Sequence, residues 1–203
     1  MIKSILILGP IWRNCNLVNF IEKKNYTVHF TNSKVTKDFI LKNKIDMIIS
    51  SGYPYLVKND VIKSTKIAIN LHISYLPYGR GIMPNLWSFV EGFPSGITIH
   101  YLDKNLDTGE IILQKKIKFK SLEKHTLKST HDYLILNLEK FFIKNFSKII
   151  KKKFKSYRQD KFNSYNVYRS RFESEKIMKN FKHKWNTKII KVIKYGKKNK
   201  SIS

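Results

Sequence analysis

The sequence predicts an α/β fold, a mostly parallel sheet with helices on both faces. Three observations predict it. Short continuous apolar runs alternate with helix-like stretches through the first half. Most of the runs, Ser4–Leu8 first among them, are continuously apolar rather than alternating, as in strands buried on both faces. Glycine-rich turns close the first runs, as at Gly9-Pro10 and Ser51-Gly52.

In chain order, Ser4–Leu8 reads as the first strand and Asn16–Lys24 as a helix. Tyr26–Thr31 alternates like a strand. Val35–Lys44 is expected to form a surface helix, with apolar residues at Phe39, Ile40 and Ile45. Asp46–Ser50 and Lys66–Ile69 are two further strands. The middle of the chain crowds Pro77, Gly79, Gly81 and Pro84 into a loop before a short helix, Asn85–Glu91, whose Trp87 reads as core. Gly96–Leu102 and Glu110–Phe119 are strands around a turn at Asp107-Thr108-Gly109. From Ser121 to about Lys153 a long amphipathic helix places Leu127, Leu134, Leu138, Phe142 and Phe146 on one side.

Residues 1–153 are therefore read as the catalytic domain. Residues 154–203 are read as a basic C-terminal extension packed on that domain, with Tyr157, Phe162, Tyr165, Tyr168 and Phe172 along it. A short helix is expected near Ser174–Phe181, and the end from Gly196 is expected to fray.

With 203 residues, 42% of them hydrophobic, the chain can bury a full core. The single cysteine, Cys15, excludes an intrachain disulfide and a four-cysteine metal site, and no metal is expected. The opening apolar run is cut by Gly9-Pro10, too short for a signal peptide or a membrane span. The expected location is cytoplasmic, with no membrane partner. A formal charge of +26 suggests nucleic acid. Composition argues otherwise: only five of the 40 basic residues are arginine, Ala68 is the sole alanine, and the lysines are spread along the chain. That is the mark of AT-rich coding, and nucleic acid is not the expected partner. A non-catalytic RNA-binding protein using the lysine-rich tail is the alternative from another class.

Ligands of open α/β sheets sit at the carboxyl ends of the strands. Asn70 and His72 follow directly on the strand Lys66–Ile69, and their spacing of two sends both side chains to one face of an extended backbone. Asp107 lies in the loop before Glu110–Phe119. By residue type alone these could equally be a turn asparagine, a packed histidine and a turn aspartate.

The run Ile69-Asn70-Leu71-His72-Ile73-Ser74-Tyr75-Leu76-Pro77-Tyr78-Gly79-Arg80-Gly81 closely resembles the signature of the folate-dependent formyltransferases, Asn-x-His-x-Ser-x-Leu-Pro before a glycine turn. The family's next motifs are present in order, as Gly96-Ile97-Thr98-Ile99-His100 and Asp107-Thr108-Gly109. Upstream, Ser50-Ser51-Gly52-Tyr53-Pro54-Tyr55-Leu56 resembles its folate loop. The resemblance covers about Ile45 to Ile117. It implies a Rossmann-like formyltransferase domain with N10-formyltetrahydrofolate as cosubstrate. It implies that Asn70 and His72 stabilise the oxyanion formed when an amine attacks the formyl carbon. Asp107 would orient His72, favour its imidazolium form and take the amine's proton. Gly52, Tyr53, Tyr55, Leu56 and Asp103 are the implied folate-binding residues. Ser74 is expected to hydrogen-bond within the active-site loop. His100 reads either as packed in the core or as a supporting partner.

The acceptor is read by difference. The purine-pathway members follow their first strand with a Gly/Ser/Asn-rich phosphate cradle, and Gly9-Pro10-Ile11-Trp12-Arg13 departs from it. The methionyl-tRNA members add a β-barrel for which the residues after Asp107 leave no room. The loop after Pro77 looks more like the members that act on nucleotide-linked amino sugars. Such a sugar is the expected acceptor, with glycinamide ribonucleotide as alternative and a homodimer left open. Trp12, Ser74 and Arg80 are the implied acceptor-binding residues, Trp12 by stacking on the base and Arg80 by meeting a phosphate.

Overall fold

A computed structural model describes residues 1–159 and 168–200. The strands are β1 (Ser4–Leu8), β2 (Thr27–Thr31), β3 (Met47–Ser50), β4 (Ile67–His72), β5 (Arg80–Gly81), β6 (Gly96–Tyr101), β7 (Ile111–Lys116) and β8 (Tyr168–Arg169). The helices are α1 (Ile11–Glu22), α2 (Lys37–Lys42), α3 (Asn59–Lys63), α4 (Pro84–Glu91), α5 (Leu127–Ile150), α6 (Arg171–Met178) and α7 (Ile189–Lys200).

Six strands form one sheet in the order β2-β1-β3-β4-β6-β7. β1 pairs in parallel with β2 and β3, and β3 with β4. Backbone bonds from Tyr101 to Glu110 and from Ile117 to Ser95 turn β7 back on β6. The fold is therefore the expected mostly parallel sheet with helices. β1 and β3 are wholly buried, which accounts for their unbroken apolar sequence. The chain moves outward from β1 to β2, then starts again on the other side of β1 with β3. The switch point lies between the carboxyl ends of β1 and β3, where such sheets hold ligands.

By contacts the chain divides into two compact units. One comprises residues 1–72, 99–113 and 138–158, and the other residues 73–98, 114–137 and 159–203. This division interleaves along the chain and does not fall at residue 153. In the first unit Leu6, Leu8, Ile40, Ile48, Val61 and Ala68 pack as one buried cluster. Phe146 of α5 meets Phe20 edge-on at 5.4 Å. In the second, Leu86, Phe89, Leu127, Phe181, Ile189 and Val192 form another, and the Trp87 indole donates to Ser174 Oγ at 2.9 Å.

Several boundaries differ from expectation. α1 begins at Ile11 because Pro10, with φ −73°, serves as its extended N-cap. The long helix begins at Leu127, after a 3₁₀ turn at Leu122–Lys124. α7 runs through Gly196 to Lys200 and buries Ile189 and Val192, and the last three residues lie outside those described. Lysine-rich composition masked that amphipathic pattern. α6 opens with a capping box, Ser170 and Glu173 each bonding the other's backbone N–H. Phe162 and Tyr165 lie outside the described residues. Among the described residues no helix is long and apolar enough to cross a membrane.

Just before β3, Asp46 accepts the N–H groups of Lys3 at 2.7 Å and Ser4 at 3.2 Å, and pairs with Lys66. Burial alone would push its carboxyl up. The hydrogen bonds and the Lys66 charge outweigh that, and the net displacement is down. A depressed folded value means stability that is present above the unfolded carboxylate range, about 4, and lost as pH falls through the lower folded value. Asp46→Asn is therefore expected to cost about 1–2 kcal/mol at pH 7. In paired thermal melts the gap to wild type should shrink as the pH drops below about 4. A gap unchanged in acid would contradict this account of Asp46.

Candidate active site

β4 runs on through His72, so Asn70 and His72 lie within the strand rather than beyond it. Asn70 pairs in register with Ser50, the last residue of β3. The polar end of β4 and the Ser51-Gly52 turn thus leave the same edge of the sheet. Asn70 Nδ2 is 3.0 Å from Asp107 Oδ1 and 3.2 Å from His100 Nε2. His72 Nδ1 is 3.7 Å from the same Asp107 oxygen, and His100 Nε2 is 3.5 Å from it. All but Asn70, which is half-buried, are at least nine-tenths buried.

The bonding fixes some proton positions. His100 Nδ1 lies 2.7 Å from the Tyr101 carbonyl, which can only accept, so Nδ1 carries a hydrogen. Nε2 of a neutral ring is then an acceptor for the Asn70 amide. A carboxylate likewise requires that the amide nitrogen of Asn70, not its oxygen, face Asp107. Both Asn70 hydrogens are committed in this state, one to Asp107 and one to His100.

The Asp107 backbone is left-handed, with φ 55°. Aspartate is among the few non-glycine residues that tolerate this region. Its loop is braced by Asp103, whose Oδ1 accepts from the Asn105 N–H and the Thr108 hydroxyl. At the neighbouring edge, Gly52 has φ 72° and the half-buried Tyr53 donates its hydroxyl to Ser33 O at 2.8 Å. Burial raises the Tyr53 phenol above its ordinary value. Tyr55 and Leu56 are exposed, and the Tyr53 and Tyr55 rings meet edge-on at 5.4 Å.

Residues 13–136 match the family model described as formyl transferase. The chain belongs to the formyl transferase family. Within that family it is 34% identical over 115 residues to the GDP-perosamine N-formyltransferase of Brucella melitensis, a match covering 55% of this chain and 44% of that one. It is 34% identical over 99 residues to the methionyl-tRNA formyltransferase of Staphylococcus epidermidis, covering 48% of this chain and 31% of that protein. The chain thus spans less than half the length of these curated relatives. Among solved structures, the formyltransferase PseJ from Anoxybacillus kamchatkensis superposes with a TM-score of 0.85 at 37% identity. That match covers 96% of this chain and all of the other, which was crystallised with UDP-4,6-dideoxy-4-formamido-L-AltNAc and tetrahydrofolate.

The structure brings Asn70, His72 and Asp107 together and adds His100, which the sequence left between core and site. Its signal was the alternation with Thr98 along β6. The reading of Ser74 needs correction. Its carbonyl accepts from the Thr98 hydroxyl at 2.7 Å, but its own hydroxyl is buried with no hydrogen-bond partner among the described residues. Arg80, expected to meet a phosphate of the acceptor, is buried in β5 with Nη2 2.9 Å from Gln159 Oε1. Trp12 is well exposed on the first turn of α1, at 69%. Among the described residues no cluster of three or more His, Cys, Asp or Glu side chains could hold a metal ion.

Proposed function

We propose that this chain transfers the formyl group of N10-formyltetrahydrofolate to the amine of a nucleotide-linked amino sugar. The reading is carried by the Asn70, His72 and Asp107 side chains converging within 3.7 Å at the carboxyl edge of the sheet. Likeness along the whole of a protein crystallised with a formamido nucleotide sugar and tetrahydrofolate supports the substrate class.

The neutral amine attacks the formyl carbon and the carbonyl electrons move onto oxygen. His72 and Asn70 donate to that oxygen, and Asn70 does so by releasing one of its resting bonds. A donor of this kind is worth ~10²–10³ in rate. Collapse breaks the bond to the folate nitrogen. Asp107 accepts the proton lost by the amine, and the folate nitrogen takes one as it leaves. Gly52, Tyr53, Tyr55, Leu56 and Asp103 hold the folate, and Trp12, Ser74 and Arg80 serve the acceptor. The reaction is one of soluble small molecules, in the cytoplasm.

Offering N10-formyltetrahydrofolate with UDP- and GDP-linked 4-amino and 3-amino sugars, and separately with glycinamide ribonucleotide, tests the reading. Formylation of at least one amino sugar, with glycinamide ribonucleotide unreacted, is expected by mass spectrometry. Formylation of glycinamide ribonucleotide alone would move the assignment to the purine pathway. No formylated product from any acceptor would remove it altogether.

A further inference from the structure

Arg13 lies in the first turn of α1, and its side chain has no hydrogen-bond or ion-pair partner among the described residues, although Nε is wholly shielded from solvent. It is alone in this among the five arginines. Arg80 bonds Gln159, Arg158 pairs with Glu110, Arg169 with Glu91 and Arg171 with Glu175. A partly desolvated guanidinium with no counter-charge is costly, and burial lowers it to about 10. The cost needs a reason.

The surroundings supply one. The side chain crosses the turn after β3: a Cβ placed on Gly52 would come 2.9 Å from Arg13 Cδ and 3.1 Å from Nη1. A side chain at position 52 would push the guanidinium aside, and glycine leaves it where it lies. This is the switch point between β1 and β3. The start of α1 adds to the positive charge. Its cap, Pro10, offers no side-chain acceptor, and no acidic residue stands in its first turn. The twelve-residue helix therefore presents unneutralised N–H groups at the same end as Arg13. The fork of a guanidinium matches phosphate and carboxylate oxygens.

We infer that Arg13, laid over Gly52 at the start of α1, is the anchor for an anionic oxygen group of a substrate, a phosphate or a carboxylate. Under the function proposed above, two sources carry that chemistry, the diphosphate of the acceptor and the glutamate carboxylates of the folate.

Calorimetric titration of wild type, Arg13→Lys and Arg13→Gln separates the sources without depending on turnover. The ligands are uridine and guanosine diphosphate, 5-formyltetrahydrofolate, and the same folate without its glutamate. Arg13→Gln is expected to weaken either the diphosphates or the complete folate about tenfold or more. Loss confined to the diphosphates assigns the acceptor. Loss on the complete folate, with the glutamate-free form unaffected, assigns the folate tail. Arg13→Lys should recover part of the loss. The variant is expected to melt no lower than wild type without ligand, because it removes a buried charge that nothing described neutralises. Wild type that binds both ligands, with Arg13→Gln within twofold on each, overturns the anchor and leaves the proposed function standing. A lower melting point for ligand-free Arg13→Gln overturns it as well, since the arginine would then be structural. Wild type that binds neither ligand overturns both.

Discussion

Replacing Asp107 with asparagine is expected to lower kcat by ~10²–10⁴-fold while the protein still folds. The substitution is clean for two reasons. Asparagine has nearly the shape of aspartate, so the packing of a side chain that is 94% buried is kept. It also tolerates the left-handed backbone, φ 55°, that alanine would strain. What goes is the negative oxygen that lies 3.0 Å from Asn70 Nδ2 and 3.7 Å from His72 Nδ1. Under the proposed mechanism the attacking amine then has no adjacent proton acceptor, and both neighbours lose the group that orients them. His72→Ala, which on the same mechanism removes one oxyanion donor, should cost ~10²–10³-fold. The two losses should combine to less than their product in the double variant, because Asp107 acts partly through His72. Steady-state rates beside circular dichroism and thermal melts give the readout. Asp107→Asn that is folded and within tenfold of wild type would end the assignment of Asp107 as proton acceptor.

The centre of the sheet was legible because β1 and β3 are buried on both faces, and a strand so buried is apolar nearly throughout. β1 was read to the residue. β4 was read short, since polar Asn70 and His72 look like the end of a strand. In the fold they continue the ladder, with Asn70 opposite Ser50. α3 left too brief a pattern to notice, and α7 is coded in isoleucine, valine and lysine, which composition alone reads as a basic tail. The Asn70–His72–Asp107 cluster was found through motif order rather than geometry. Pairing across 37 positions has no local signature. The same limit hid Arg13, whose significance is the lack of a partner, a property that exists only once the chain has folded.

Gly109 follows Asp107-Thr108 and carries no positive φ. Its requirement for glycine is spatial. A Cβ at this position would run into the carbonyl oxygen of Tyr101, where β6 ends. That carbonyl accepts the Nδ1 hydrogen of His100, and the Tyr101 N–H bonds the Glu110 carbonyl at 2.9 Å. The backbone there has little room to retreat. Gly109→Ala is therefore expected to destabilise the protein by about 1–3 kcal/mol, the usual cost of overpacking. At this chain length that is a fall of roughly 2–12 °C in Tm. The displaced strand end also moves the His100 ring and the turn bearing Asp107. A shift on the order of 1 Å at reacting groups can cost ~10²-fold. The variant should thus lose kcat well beyond its loss of folded protein, measured at a temperature where it remains folded. Under the proposed function the folate should bind more weakly without being lost, because Gly52, Tyr53, Tyr55 and Leu56 stand on a different loop while Asp103, bonded to Thr108, shares the one that moves. If Gly109→Ala melted like wild type with full activity, the close approach of residue 109 to Tyr101 would not be what holds Asp107 in place.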